Sequence, residues 1–199
     1  MDDQNKRLIE RLLERIEQGP KPEDEYRSRK RRPYPPVLAA DIERAEEALG
    51  FYLPPLLKDI YQTIGDGGFG PGYGLLRLNV PRSTWSNEQE DSIVLDYQEL
   101  HNATAAQLNE QLPVGGTPQN RWPTGIVIIN DWGCNIFSCL DCLSEPDYPI
   151  LRRDYNRGYN EFCVESPSFA QWLEAWIDNI ALFDLDWENA QKMVFPFRP

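Results

Sequence analysis

The sequence has one histidine, no long apolar run and too few basic residues to balance its acidic ones. Each shortage excludes something. No window approaches the roughly 18 apolar residues of a membrane-spanning helix. The first twenty residues are charged throughout and hold no apolar segment of the kind a secretory leader carries, so a cytoplasmic location is expected. Thirty-two Asp and Glu oppose 20 Lys and Arg, a formal net charge of −12. Such a surface repels nucleic acid and anionic membranes, because phosphate binding works through Lys and Arg displacing counterions. It attracts a basic protein and speeds encounter with it.

Cysteine is also sparse: Cys134, Cys139, Cys142 and Cys163. Cys139 and Cys142 form a C-x-x-C pair, but no second pair exists to complete a zinc site. The run from Cys134 to Cys142 reads as a β-strand, not as a Gly-containing zinc knuckle. We expect four reduced, structural thiols and no cofactor or metal. A Cys–His dyad would depend on His101, which sits mid-helix, and no local motif marks a cysteine as its nucleophile. The stretch from Gly65 to Gly72 lacks the Lys-Ser/Thr of a phosphate loop and follows a helix, so it reads as a turn. No internal repeat is visible.

What is present describes a packed domain. Hydrophobic residues make up 41% and aromatics 12%, with six Trp. That composition excludes disorder, and the length suits one domain with a small extra element.

Leu8, Ile9, Leu12, Leu13 and Ile16 recur at helical spacing, and Gly19-Pro20 ends that helix. Residues 20–36 form a Pro-rich connector with a basic run over 27–32, which we read as a solvated linker offset by the acidic body. From residue 37 the pattern predicts a helix over 39–49. A second helix opens at Leu53-Pro54-Pro55, where a first-turn Pro is tolerated, and stops at Gly65–Gly68. A strand is expected over 73–78, a polar loop over 81–90, and a helix over 92–111 with a weak point at Asn102–Thr104. The apolar run Ile126–Ile129 predicts a central strand, Asn130–Gly133 a turn, and Cys134–Leu140 its partner strand. Further strands are expected at 148–151 and 159–164, then an amphipathic helix from Ser168 carrying Phe169, Trp172, Leu173 and Trp176. This order predicts an α+β fold.

Taken in order, several of these pieces resemble the SUKH superfamily of fungal cell-wall regulators and bacterial toxin-immunity domains. They are Ile42–Gly50, Leu53–Tyr61, the turn Gly67-Gly68-Phe69-Gly70, Gly74–Leu76, Ile126–Ile129, Asp131–Asn135 and Phe169–Leu173. The resemblance runs from about Leu38 to Ile180. It implies a central, mainly antiparallel sheet of about four to six strands with helices packed around it, and no catalytic residues. Leu53, Pro54, Gly67, Gly68 and Gly133 match the scaffold-shaping positions. The layout becomes an N-terminal helix and connector over 1–36, a SUKH-like domain over 37–184 and a tail over 185–199.

The resemblance also implies an immunity-type protein that docks onto a cognate, basic, nuclease- or deaminase-like toxin. Alternatives are an intracellular scaffold or regulatory module of the same fold, or a Cys-based zinc-binding protein. Two segments set aromatics among acids, as protein interfaces do. Trp85 lies with Glu88, Glu90 and Asp91, and Tyr148 lies with Asp141, Glu145, Asp147 and Asp154. Acid pairs in these polar stretches read as charged surface, not as acid–base machinery.

Overall fold

The computed structural model describes residues 3–19, 32–79, 92–102, 122–157, 162–180, 182 and 189–193. Helix α1 spans Asp3–Gln18 and buries Leu8, Ile9, Leu12 and Arg15, one face at helical spacing. Gly19 adopts φ +74 behind it, and Arg15 Nη1 donates to Gly19 O at 2.7 Å, satisfying an end carbonyl. Helix α2 spans Ala39–Leu49. Its start is closed by Asp41, whose carboxylate accepts from Leu38 N at 2.9 Å, and its end by Gly50 in the left-handed region. Helix α3, Pro55–Thr63, begins with Pro in its first turn, where a missing N–H costs nothing. Helix α4, Ile93–Asn102, buries Ile93, Val94 and Tyr97. The remainder of the helix expected over 92–111 lies outside the described residues.

The expected strand over 73–78 is absent. Leu75 and Arg77 make only single bridges, to Asn130 and Ser92. Gly70, Gly72 and Gly74 all take positive φ here, which turns the chain before a ladder can extend.

The sheet is an antiparallel meander in the order β1-β2-β3-β4-β5. Its strands are β1 Ile126–Gly133, β2 Ile136–Asp141, β3 Ile150–Asp154, β4 Phe162–Ser166 and the two-residue β5 Lys192–Met193. The α+β expectation stands, with four full strands and one short edge. β1 runs through the residues expected to turn. The turn is instead Cys134-Asn135, with φ 53 and 61 at its two central positions, the handedness that two-residue hairpins need. β5 falls in the stretch read as a tail.

Helix α5, Phe169–Ile177, is capped by Ser168 Oγ, which accepts from Gln171 N at 3.1 Å. It packs on β4, α4 packs on β1, and α1 lies across α3 and α5. Leu12, Leu57, Ile60, Val127, Leu140, Leu151 and Trp172 are fully buried between these layers.

Candidate interaction surface

The β2–β3 connection, residues 142–149, is held at both ends by main-chain bonds. Cys142 N donates to Gly125 O at 2.9 Å, and Asp141 N to Pro149 O at 3.1 Å. Tyr148 N donates to Ser144 O within it, and Phe169 N of α5 donates to Asp147 O. A loop so braced presents its side chains with little ordering left to lose on binding.

Two of the expected contact residues are inside the fold. Asp141 is fully buried, and its carboxylate accepts from Leu143 N at 3.0 Å and Ser144 Oγ at 2.8 Å. Asp154 is buried and accepts from Asn156 N at 2.9 Å and Asn156 Nδ2 at 2.8 Å, while Arg157 Nε lies 3.3 Å away. Both carboxylates stabilise turns, the usual local role of Asp. The braced loop brings the other three together. Glu145 and Asp147 are exposed and Tyr148 is half-buried. Burial, and then the neighbouring Glu145 carboxylate, push the Tyr148 hydroxyl pKa up. Trp85, Glu88, Glu90 and Asp91 lie outside the described residues.

The charges between residues 37 and 157 are distributed unevenly. Six Lys and Arg side chains are described between residues 37 and 157. Arg44 pairs with Asp41, Lys58 with Glu46, Arg77 with Asp66, Arg152 with Glu165 and Arg157 with Asp154. The sixth, Arg153, is buried against the rings of Tyr155 at 4.5 Å and Phe162 at 5.4 Å. Between residues 37 and 157 the described cations are thus buried or paired with a carboxylate, while Glu145 and Asp147 remain at the surface.

Sequence reading missed the interior polar network. Glu165 Oε2 accepts from Arg152 Nε at 2.8 Å and from Ser138 Oγ at 2.7 Å, and Trp172 Nε1 donates to Oε1 at 2.8 Å. Trp132 Nε1 donates to Ser138 Oγ at 2.7 Å, its ring lies under the Arg152 guanidinium, and Arg152 Nη2 donates to Leu182 O. Ending the third strand at Leu151 left Arg152 and Arg153 outside any element. Their alternation with Leu151 and Asp154 gave no signal of burial.

The thiols and the histidine take ordinary structural places. Cys139, Cys142 and Cys163 are buried, and burial holds the thiol pKa values of Cys139 and Cys142 well up. Cys134 is exposed in the hairpin turn. His101 is exposed and stacks on Tyr97 at 5.1 Å. Among the described residues, no three His, Cys, Asp or Glu side chains converge as a metal-binding group. No described helix is long and apolar enough to cross a membrane.

The scaffold positions singled out in the sequence have clear roles. Leu53 and Pro54 are buried at the α2–α3 junction. Gly67 has φ +73, and a Cβ there would meet Leu75 O at 2.5 Å and Leu76 O at 2.6 Å. Gly68 and Gly133 also take positive φ.

A search of curated proteins finds no match. The sequence profile of the SMI1/KNR4 family (SUKH-1) matches residues 36–175, which include helices α2 to α4, strands β1 to β4 and most of α5. On that match, covering well over half of its length, the chain belongs to the SMI1/KNR4 (SUKH-1) family.

Proposed function

We propose that this chain is an immunity-type protein that binds and neutralises a cognate basic toxin domain, nuclease- or deaminase-like, by direct one-to-one docking. The observation that carries the reading is the charge asymmetry. The described cations between residues 37 and 157 are paired with carboxylates or buried, whereas Glu145 and Asp147 stand exposed on a braced loop beside Tyr148. Family membership supports a protein-binding role.

The mechanism is steering followed by occlusion. An overall charge of −12 raises the encounter rate with a basic partner. The fixed loop sets orientation, and an aromatic such as Tyr148 contributes contact area at low entropic cost. Trp85, Glu88, Glu90 and Asp91 are proposed as further partner contacts. The acids stand where the toxin's anionic substrate would sit or cover its mouth. No bond is made or broken, no cofactor takes part, and the cytoplasm is where the partner is met.

The test is co-expression with the product of a toxin gene adjacent to this one. The expected result is restored growth, a one-to-one complex and an association rate that falls with salt. Reversing charge at Glu88, Glu90, Asp91, Glu145 and Asp147 to Lys should weaken binding and remove much of its salt dependence. A charge-reversed chain that binds and protects as well as the original would sink the acidic-surface reading. Substrate turnover by the purified chain, lost on changing His101 or a cysteine, would sink the non-catalytic one.

A further inference from the structure

Helices α2 and α3 leave an open groove of about 540 Å³ between them, with the start of α1 as a third wall. Ile42, Glu43 and Glu46 line it from α2, Lys58 and Asp59 from α3, and Asn5 from α1. Lys58 is the only cation among the described lining residues. Its Nζ lies 2.9 Å from Glu46 Oε1, which also accepts from Leu53 N at 2.8 Å. The Lys58–Glu46 pair ties α3 to α2 and offsets the Lys58 charge. Glu43 and Asp59 keep theirs. Among the described residues neither makes an ion pair, and Asn5 Nδ2 reaches Asp59 Oδ2 only at 3.5 Å, the limit of a hydrogen bond.

The rim is apolar. Tyr52 is 79% exposed and Leu38 72%, the two most exposed large hydrophobic side chains described. The Tyr52 ring lies 5.8 Å from Lys58 Nζ, and Leu38 directly precedes Ala39 of the groove lining. Exposed aromatic and aliphatic side chains beside uncompensated carboxylates are a contact surface for a partner that is basic and apolar together.

We infer that this groove receives an extended segment of a partner protein carrying Lys or Arg next to an apolar residue. The cation meets Glu43 and Asp59, its aliphatic stem lies along the exposed Ala39 and Pro55 of the lining, and the apolar neighbour covers Tyr52. A single acidic cluster would accept any cation; the apolar rim selects a peptide. Asn5 lies outside the matched stretch 36–175, so the third wall comes from beyond the family-matched residues. The inference rests on the docking reading above and adds a second contact, distinct from the 142–149 loop.

The probe is a capped peptide of alternating arginine and leucine, titrated into the isotope-labelled full chain and followed by amide chemical shifts. The expected shifts cluster at residues 42–46 and 58–62. A control peptide with glutamate in place of arginine gives none. Asp59→Asn, Glu43→Gln and Tyr52→Ala should each weaken binding about five- to tenfold without moving the melting temperature. Shifts confined to 142–149 would overturn the groove and leave the docking reading intact. No shifts at all, or unchanged affinity in all three variants, would also overturn the groove. The docking reading is judged separately, by whether the complex with the neighbouring toxin forms.

Discussion

Arg152 and Glu165 face each other across β3 and β4 with Nε 2.8 Å from Oε2, and both side chains are 1% exposed. Two buried charges are tolerable only when each is fully bonded. Ser138 and Trp172 complete Glu165, and the Leu182 carbonyl and the Trp132 face receive Arg152.

Removing one partner therefore leaves an uncompensated charge. Arg152→Met should cost about 3–5 kcal/mol of unfolding free energy, whereas Arg152→Met with Glu165→Leu should recover much of that loss. Urea titrations of the four chains in this cycle check it. Additive losses would mean that the two residues act independently.

The buried thiols give a pH signature. Cys139 and Cys142 titrate above the ordinary thiol value of 9.0 in the folded chain, chiefly through burial. A folded pKa raised in this way stabilises the fold below the unfolded value and loses that stabilisation as pH rises, because the unfolded thiol ionises first. Between pH 9 and 10, stability should fall by about 1 kcal/mol per thiol. Replacing Cys139 with Ala should remove its share of the slope. With a thiol reagent at neutral pH, Cys134 should react at once and the other three only on unfolding.

Two glycines separate backbone strain from steric conflict. Gly50 has φ +81 and open space where a Cβ would stand, so Gly50→Ala should cost about 1 kcal/mol. Gly67 has φ +73 and two carbonyl oxygens within 2.6 Å of that position, so Gly67→Ala should cost clearly more. Thermal melts of both variants decide it, and equal shifts would contradict the close approach at Gly67.

Helix α1 precedes the family-matched stretch yet packs as core. Leu12 is fully buried, and the Arg15 guanidinium lies 4.7 Å from the Trp176 ring centroid. Leu12→Ala should cost about 2–5 kcal/mol. Arg11→Ala, which removes half-exposed pairs with Glu174 and Asp178, should cost under about 1 kcal/mol. Denaturant midpoints rank them, and a silent Leu12→Ala would mean that α1 is not part of the cooperative unit.

Helices were the legible part of the chain. Leu8, Leu12 and Ile16, or Ile42, Ala45 and Leu49, repeat at intervals that only a helix places on one face. Gly19, Gly50 and Pro55 mark the helix boundaries by backbone chemistry alone. Strand positions were less legible. Asn130, Asp131 and Trp132 carry turn-like residue types, yet β1 continues through them, because Asn130 is buried and the pairing of Asp131 with Phe137 extends the ladder. Only Gly133, Cys134 and Asn135 take positive φ there, so the reversal falls later.

The candidate surface divides in the same way. Acids near Tyr148 were visible as a string, but Asp141, Glu145, Asp147 and Asp154 look alike in sequence. Asp141 and Asp154 are buried where backbone N–H groups of the following turn reach them, whereas Glu145 and Asp147 are exposed. That distinction depends on the path of the loop.

Composition and periodicity by themselves determined the excess of negative charge, the helical segments and the α+β class, since these follow from residue types and short-range spacing. Tertiary structure alone decided which charges survive at the surface. Whether a carboxylate meets an arginine, an amide or water depends on residues distant in the chain, as Glu165 and Arg152 meet in the interior while Glu145 faces solvent.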